Sequence, residues 1–293
     1  MKMSGFSLTF PWDGDSGCLL VLVGNTHLHW GWVPGKAKTH TDQGLRDLIS
    51  WDTPHLATPL DSQAGRVHCS DRWTQVGNLD PLLIEKFHQG IVPLIYASVV
   101  PAQRDLLRSY PFSNPITLKD IPLSHTYPTL GVDRALALWA AGQVHGWPAI
   151  VIDGGTALTL TGGNERGELV GGAILPGLGL QFRSLFQHTA ALPLLALEAL
   201  PDRWARNTPD AILSGVAHSL LAGVQSFLQD WLQLYPQTQI CFTGGDGQWL
   251  YQHLLPWLRA QEFEHQSPSH PLGSDRLIYG PHLGLWGMVL VID

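Results

Sequence analysis

Three apolar runs of this chain each end on a glycine turn, and this repeated pattern limits its possible folds more than any other feature. Cys18-Leu-Leu-Val-Leu-Val23 stops at Gly24-Asn25-Thr26, and Ala149-Ile-Val-Ile-Asp153 stops at Gly154-Gly155-Thr156. Gln239 to Thr243 stops at Gly244-Gly245-Asp246-Gly247. Short continuous apolar runs bounded by turn residues read as buried strands. After the first turn, His27-Leu-His-Trp-Gly-Trp-Val33 alternates and reads as the returning strand of a hairpin. The second turn also opens a hairpin, with strands over 156–161 and 168–175. Strand, Gly-x-Thr turn and strand therefore occur in the same order in both halves, which predicts two related α/β halves. Gly146-Trp-Pro148 punctuates the chain between them, giving expected domains over 1–146 and 147–293.

The remaining pattern fills in around these strands. Gly44 to Trp51 reads as a possible helix. Ile91 to Val100 reads as a buried strand interrupted by Pro93, followed by a short helix over 103–109. Pro111, Pro115 and Pro122 mark a connector. Val132 to Val144, rich in Ala and Leu, reads as a helix with Asp133 in its first turn, and a further helix is expected over 178–188. Residues 191–205 read as a connector holding a short helix. Thr208 is the expected cap of a helix running to Tyr235, with Pro209 at its first position and Asp210 in its first turn. A helix follows the third glycine turn to about Leu258. Residues 1–16 read as a loose leader and 262–275 as a polar, mobile stretch. Leu283 to Ile292 is apolar throughout, so its period does not separate helix from strand.

At 293 residues and 44% hydrophobic, the chain can bury a core in two domains. A net charge of −7 argues against a nucleic-acid backbone as partner, though not against a small anionic substrate. Cys18, Cys69 and Cys241 have no disulfide or zinc spacing. Buried free thiols and a cytoplasmic address are expected. The 14 histidines show no ligand spacing. No uninterrupted apolar run reaches about 18 residues, so no membrane-spanning helix is expected.

The chemistry concentrates in two stretches. Gly131-Val-Asp133-Arg134 puts a carboxylate and a guanidinium at a helix start. Asp153-Gly-Gly-Thr156 puts a carboxylate and a hydroxyl at a strand-ending turn. The combination points to phosphoryl transfer, in which positioning and charge outweigh covalent chemistry. Taken singly, Asp133 is also a helix-start acid favoured by the dipole, and Gly24-Asn25-Thr26 is also an ordinary hairpin turn.

In order and spacing these motifs resemble the type III pantothenate kinases, within the acetate and sugar kinase/Hsc70/actin superfamily. The matching residues are Gly24-Asn25-Thr26, Ser98-Val-Val-Pro101, Gly131-Val-Asp133-Arg134 and Asp153-Gly-Gly-Thr156-Ala157. Gly171-Gly-Ala-Ile174-Leu-Pro176-Gly177 follows, then Asn207-Thr208 before Ser214-Gly215, then Thr243-Gly244-Gly245. The resemblance implies two ribonuclease-H-like α/β domains of the actin-like ATPase type, with a nucleotide cleft between them. It implies transfer of phosphate from ATP to the primary hydroxyl of pantothenate, the first step of coenzyme A biosynthesis, in a homodimer. Asp133 would be the general base. Gly131, Val132, Arg134 and Thr208 would bind substrate, with Thr208 coming from the other subunit. Gly24, Asn25, Thr26, His27, Leu28, His29 and Thr156 would contact ATP. Asp153 would hold a monovalent cation, K⁺ or NH₄⁺, and Mg²⁺ would accompany the nucleotide.

The chain departs from the family pattern at one point. The first motif of the family opens with Asp, and the matching position here is Leu22. That carboxylate would help hold the metal on the nucleotide phosphates, and Asp13 and Asp15 lie too far upstream to replace it in register. The departure leaves two other readings open. One is a relative that binds nucleotide or pantothenate without turnover. The other is a kinase of the superfamily acting on a different small hydroxy substrate.

Overall fold

A computed structural model describes residues 17–34, 45, 48–60, 92–264 and 276–292. The expected leader over 1–16, most of the stretch over 262–275, and Cys69 lie outside the described residues. The chain divides into two compact units. One takes residues up to Ala140 together with Gly284 onward, and the other takes Ala141–Leu283.

The first unit is built on a five-stranded mixed sheet. Its strands are β1 (Cys18–Val23), β2 (His27–Val33), β3 (Ile49–Pro54), β4 (Leu94–Ser98) and β5 (Ser113–Pro115), in the order β3-β2-β1-β4-β5. β1, β2 and β3 form an antiparallel meander, and β4 and β5 add in parallel on the other side. The helix expected over Gly44–Trp51 is corrected at its end, where Ile49, Ser50 and Trp51 pair with Trp32, Gly31 and Trp30 of β2. The partner strand satisfies these backbone groups, so local helix propensity loses. Pro115 ends β5 at the sheet edge, where a missing N–H costs no ladder bond.

Both faces of this sheet are covered. On one, Leu19, Val21, Leu28, Trp30, Leu94 and Tyr96 pack with Leu107 of helix α1 (Pro101–Arg108). On the other lie helix α2 (Val132–His145) and the closing helix α6 (Leu283–Ile292). Each buried Leu or Val contributes about 1.5–3 kcal/mol. α6 settles the ambiguity of its sequence as a helix. It falls in the second half of a linear division at 146, yet it packs with the first unit. A Cβ at Gly287 would collide with the backbone carbonyl of Leu136 in α2, and one at Gly284 would collide with the Leu22 side chain. These two glycines, three residues apart on one helix face, permit the close approach.

The second unit repeats the plan. β6 (Ala149–Gly154), β7 (Ala157–Gly163) and β8 (Leu169–Pro176) form an antiparallel meander. β9 (Gln239–Thr243) and β10 (Leu277–Tyr279) add in parallel, giving the order β10-β9-β6-β7-β8. Read from the first strand outward, the two sheets have the same topology, as the repeated strand-turn-strand order predicts. Helices α3 (Leu178–His188), α4 (Thr208–Leu234) and α5 (Gly247–Glu264) pack on this sheet.

By length and composition α4 alone among the described helices could cross a membrane. Here it is a core helix, with Ile212, Val216, Leu220, Val224, Leu228 and Leu232 buried. Its cap is Asn207 rather than Thr208. The Asn207 side-chain Oδ1 accepts from Asp210 N–H at 2.9 Å, which makes Thr208 the first helical residue. No helix forms over 191–205. Leu192, Leu195 and Leu197 pack on the core, while Ser214 Oγ donates to the Arg203 carbonyl, holding the segment down as an irregular strap.

Candidate active site

In the first unit the β1–β2 turn closes through Gly24 N–H to the His27 carbonyl at 3.0 Å, leaving Asn25, Thr26 and His27 exposed. His55 Nε2 donates to the Gly24 carbonyl at 2.8 Å, so this histidine is a satisfied structural group. Leu28 is fully buried and belongs to the core rather than to the turn surface. His29 is half-buried, and its Nδ1 lies 2.7 Å from Asp52 Oδ1 on β3. Leu22 stands directly opposite His29 in the sheet and is 9% exposed.

Asp133 sits in the first turn of α2, half-buried, with its carboxylate turned back over Gly131. A Cβ at Gly131 would occupy the place of Asp133 Oδ1, so glycine here lets the carboxylate fold back over the chain. Oδ1 also accepts the Arg134 N–H at 2.7 Å. Burial pushes the Asp133 carboxyl above its ordinary value. The hydrogen bond from Arg134 N–H, the Arg134 charge and, further off, His29 pull it back in part. Arg134 is buried, and its Nη1 donates to the Tyr127 hydroxyl at 3.2 Å. Gly131 and Val132 line a cavity of about 390 Å³, walled by Tyr96, Ser98, Arg104 and Thr117. Its size suits a small-molecule ligand. The Tyr96 hydroxyl is buried without a hydrogen-bond partner beside it.

In the second unit Asp153, the last residue but one of β6, lies within a cradle of glycines. Gly244, at φ +83°, has no room for a Cβ because Asp153 Oδ1 is there, and a Cβ at Gly155 would meet the same oxygen at 3.6 Å. Asp246 N–H donates to the Gly154 carbonyl at 2.7 Å, tying the second and third glycine turns together. Burial raises the Asp246 carboxyl. Thr156 lies at the β6–β7 turn, and its carbonyl accepts the Gly177 N–H at 3.0 Å. Thr208 is exposed at the start of α4. Among the described residues no three His, Cys, Asp or Glu side chains gather as a metal site.

The structure thus gathers the first-turn residues, Asp133 and Arg134 within the first unit, and Asp153 and Thr156 within the second. The sequence reading did not single out Asp52. The signal was masked because residues 44–51 read as a helix, which hides the cross-strand partner of His29.

Two mixed α/β units of shared topology define the class, and one solved structure supports it. A Campylobacter jejuni protein assigned to a Baf family of transcriptional activators matches with a TM-score of 0.53 at 19% identity, over 94% of this chain and 96% of that one. That likeness concerns the fold alone. The profile of the type III pantothenate kinases matches residues 18–230. Type III pantothenate kinases of Nostoc sp. and Synechocystis sp. are 40% and 42% identical to this chain. The first alignment covers 94% of each chain, the second 85% of this chain and 86% of the relative. The chain belongs to the type III pantothenate kinase family.

Proposed function

We propose that this protein transfers the γ-phosphoryl group of ATP to the primary hydroxyl of pantothenate, giving 4'-phosphopantothenate. One observation carries the reading: Asp133, held over Gly131 at a helix start, adjoins residues lining a small-molecule cavity. Family membership supports it. Asp133 accepts the hydroxyl proton as the oxygen attacks phosphorus, a contribution of about 10²–10⁴-fold. Its raised carboxyl makes it a better proton acceptor than an ordinary aspartate. Gly131 and Val132 shape the cavity floor, and Arg134 offsets the negative charge of the substrate or of the group in transfer. Gly24, Asn25, Thr26, His27 and His29 meet ATP phosphates, with Thr156 adding a hydroxyl. Leu28 serves by anchoring the turn from beneath.

The donors around Asp153, a carboxylate in a glycine turn rich in carbonyl oxygens, fit a hard monovalent cation such as K⁺ or NH₄⁺. Such an ion supplies positive charge to the nucleotide phosphates. A protein-held Mg²⁺ does not fit at β1, where Leu22 is apolar and packed against Gly284. Mg²⁺ characteristically keeps water and phosphate ligands, so it is carried in by the nucleotide.

A homodimer is supported by the apolar surface of the second unit. Ile174 is 65% exposed, and Leu180, Phe186 and Phe227 are exposed too. Single exposed apolar residues are ordinary, but so many on one unit suit a partner face. Thr208 would then reach substrate in the neighbouring subunit. The buried thiols Cys18 and Cys241 accord with a cytoplasmic protein.

The test is ADP release with ATP, with and without pantothenate, in K⁺ and in Na⁺ buffer. Pantothenate-dependent release that is faster in K⁺ is expected. Nucleotide binding without pantothenate-dependent release would leave a binding protein and refute the proposed activity. Release with another hydroxy acid and none with pantothenate would reassign the substrate.

A further inference from the structure

The cavity beside Gly131 holds polar groups that the transfer step itself does not use. It lies where β4 and β5 end, between α1 and the loop that leads into α2. Gly131 and Val132, next to Asp133, line it on the α2 side, and Arg104 of α1 lines it on the other, with Tyr96 of β4. Val99, Ile116, Leu118 and Leu130 give it apolar walls.

Two hydroxyls in the wall are spent within the chain. Ser98 Oγ donates to the Val100 carbonyl at 2.9 Å, and Thr117 Oγ1 donates to Asp120 Oδ2 at 2.8 Å. Tyr96 differs: the residue is 1% exposed, and its hydroxyl has no hydrogen-bond partner. A buried hydroxyl left unpaired is a cost to the fold, and in the wall of a cavity a ligand atom can repay it. Burial raises this hydroxyl above its ordinary value, aided by Asp105, while the charges of Arg108 and Arg104 pull it back in part. It is therefore a protonated donor within the field of two guanidiniums. Arg104 is half-exposed, and its Nε makes a long contact of 3.5 Å to Asp105 Oδ1. Among the described residues its terminal nitrogens have no partner. An O–H donor beside such a guanidinium suits a carboxylate, which only accepts hydrogen bonds.

We propose that Tyr96 and Arg104 bind the carboxylate of the substrate and make this cavity selective for a hydroxy acid. Pantothenate carries its carboxylate at the end opposite its primary hydroxyl. The acid end then lies toward α1, the hydroxyl toward Gly131 and Asp133, and the dimethyl carbon against the apolar walls. The inference rests on the reading of this cavity as the pantothenate site. Arg104 takes up the charge of the substrate, which leaves Arg134, beside Asp133, to the group in transfer.

The experiment compares pantothenate with pantothenol, in which an alcohol replaces the carboxylate. ADP release, calorimetric binding of both compounds and thermal melts are measured on the full chain as wild type, Tyr96→Phe and Arg104→Gln. Tyr96→Phe keeps the ring and removes the unpaired hydroxyl, so its melting temperature should equal or exceed wild type. Its KM for pantothenate should rise roughly 10-fold while KM for ATP holds. A hydroxyl with a purely structural role would give the reverse, a lower melting temperature at an unchanged KM. Arg104→Gln should weaken pantothenate roughly 10- to 100-fold and change pantothenol by less than about threefold. Wild type should prefer pantothenate by at least about tenfold, and Arg104→Gln should lose most of that preference. Wild-type KM for pantothenate in either variant, equal losses for the two compounds in Arg104→Gln, a destabilised Tyr96→Phe, or a wild type indifferent to the carboxylate would each overturn the inference. Should wild type bind pantothenate without releasing ADP, the proposed activity falls, and the same pattern read from calorimetry still decides the carboxylate contact. No binding of pantothenate at all would overturn both.

Discussion

Asp133→Asn separates catalysis from stability at a single atom. The substitution keeps a carbonyl oxygen at the place of Oδ1, so the hydrogen bond from Arg134 N–H at 2.7 Å survives and so does the fit over Gly131. What is lost is the charge and the ability to take a proton. The expected fall in kcat is about 10²–10⁴-fold, or about 2.7–5.5 kcal/mol of barrier at ~1.36 kcal/mol per tenfold. Stability moves the other way. Burial holds the Asp133 carboxyl above its unfolded value, outweighing the backbone hydrogen bond and the Arg134 charge. A carboxyl raised by folding binds its proton more tightly in the native state. Its contribution is therefore fully present below the unfolded value and is lost as pH rises through the folded one. The asparagine variant escapes that loss. Its melting temperature at pH 7 should equal or exceed wild type, and the gain should vanish as pH is lowered toward 4. A coupled ADP-release assay and thermal melts across pH check both halves. Activity within tenfold of wild type would refute the base, and a variant less stable at pH 7 yet equal to wild type at pH 4 would refute the burial argument.

Other perturbations give equally specific outcomes. Asp153→Ala should abolish the advantage of K⁺ over Na⁺ and raise KM for ATP, while KM for pantothenate holds; steady-state kinetics in both salts read this out. Gly284→Ala should destabilise by about 1–3 kcal/mol through overpacking against Leu22, and Leu22→Ala in the same chain should relieve most of that strain in denaturant titration. Asn207→Ala should cost about 1 kcal/mol, because the Asp210 N–H loses its cap. Urea midpoints would show it, and an unchanged midpoint would mean that Pro209 and packing alone fix the start of α4.

The sequence made the strands ending on glycine turns legible because they are buried on both faces, so apolar residues run without a break. The repeated order of strand and turn in the two halves correctly announced two sheets of one topology. The placement of Asp133 and Arg134 at a helix start was legible, as was the glycine turn around Asp153. The failures share one physical cause, which is that the deciding partner lay far away in sequence. Ile49–Trp51 looked helical until β2 offered it a ladder. Pro115 looked like a connector until it lined an edge. α6 had no readable period because neighbours surround it, and only the approach of Leu22 and Leu136 explains Gly284 and Gly287. Misreading residues 44–51 also hid Asp52, so the sequence offered His29 as one turn residue among several. The structure pairs its ring with Asp52 on β3.

The packing of α6 sets an order of assembly during synthesis. The second unit is continuous from Ala141 to Leu283, whereas the first needs residues from Gly284 onward to cover one face of its sheet. Domains ordinarily fold as they emerge, N-terminal first, at about 5–20 residues per second. Here the first unit to be translated is the last to be completed. The meander of β1, β2 and β3 waits about 12–46 s for its covering helix, the time to translate the roughly 230 residues between Pro54 and Leu283 at those rates. Until then, Leu20 and Leu22 lack the cover of α6 at the place where the β1–β2 turn is anchored. On the nascent chain, protection of this turn from proteolysis should therefore come later than protection of the β6–β7 hairpin that follows it in sequence.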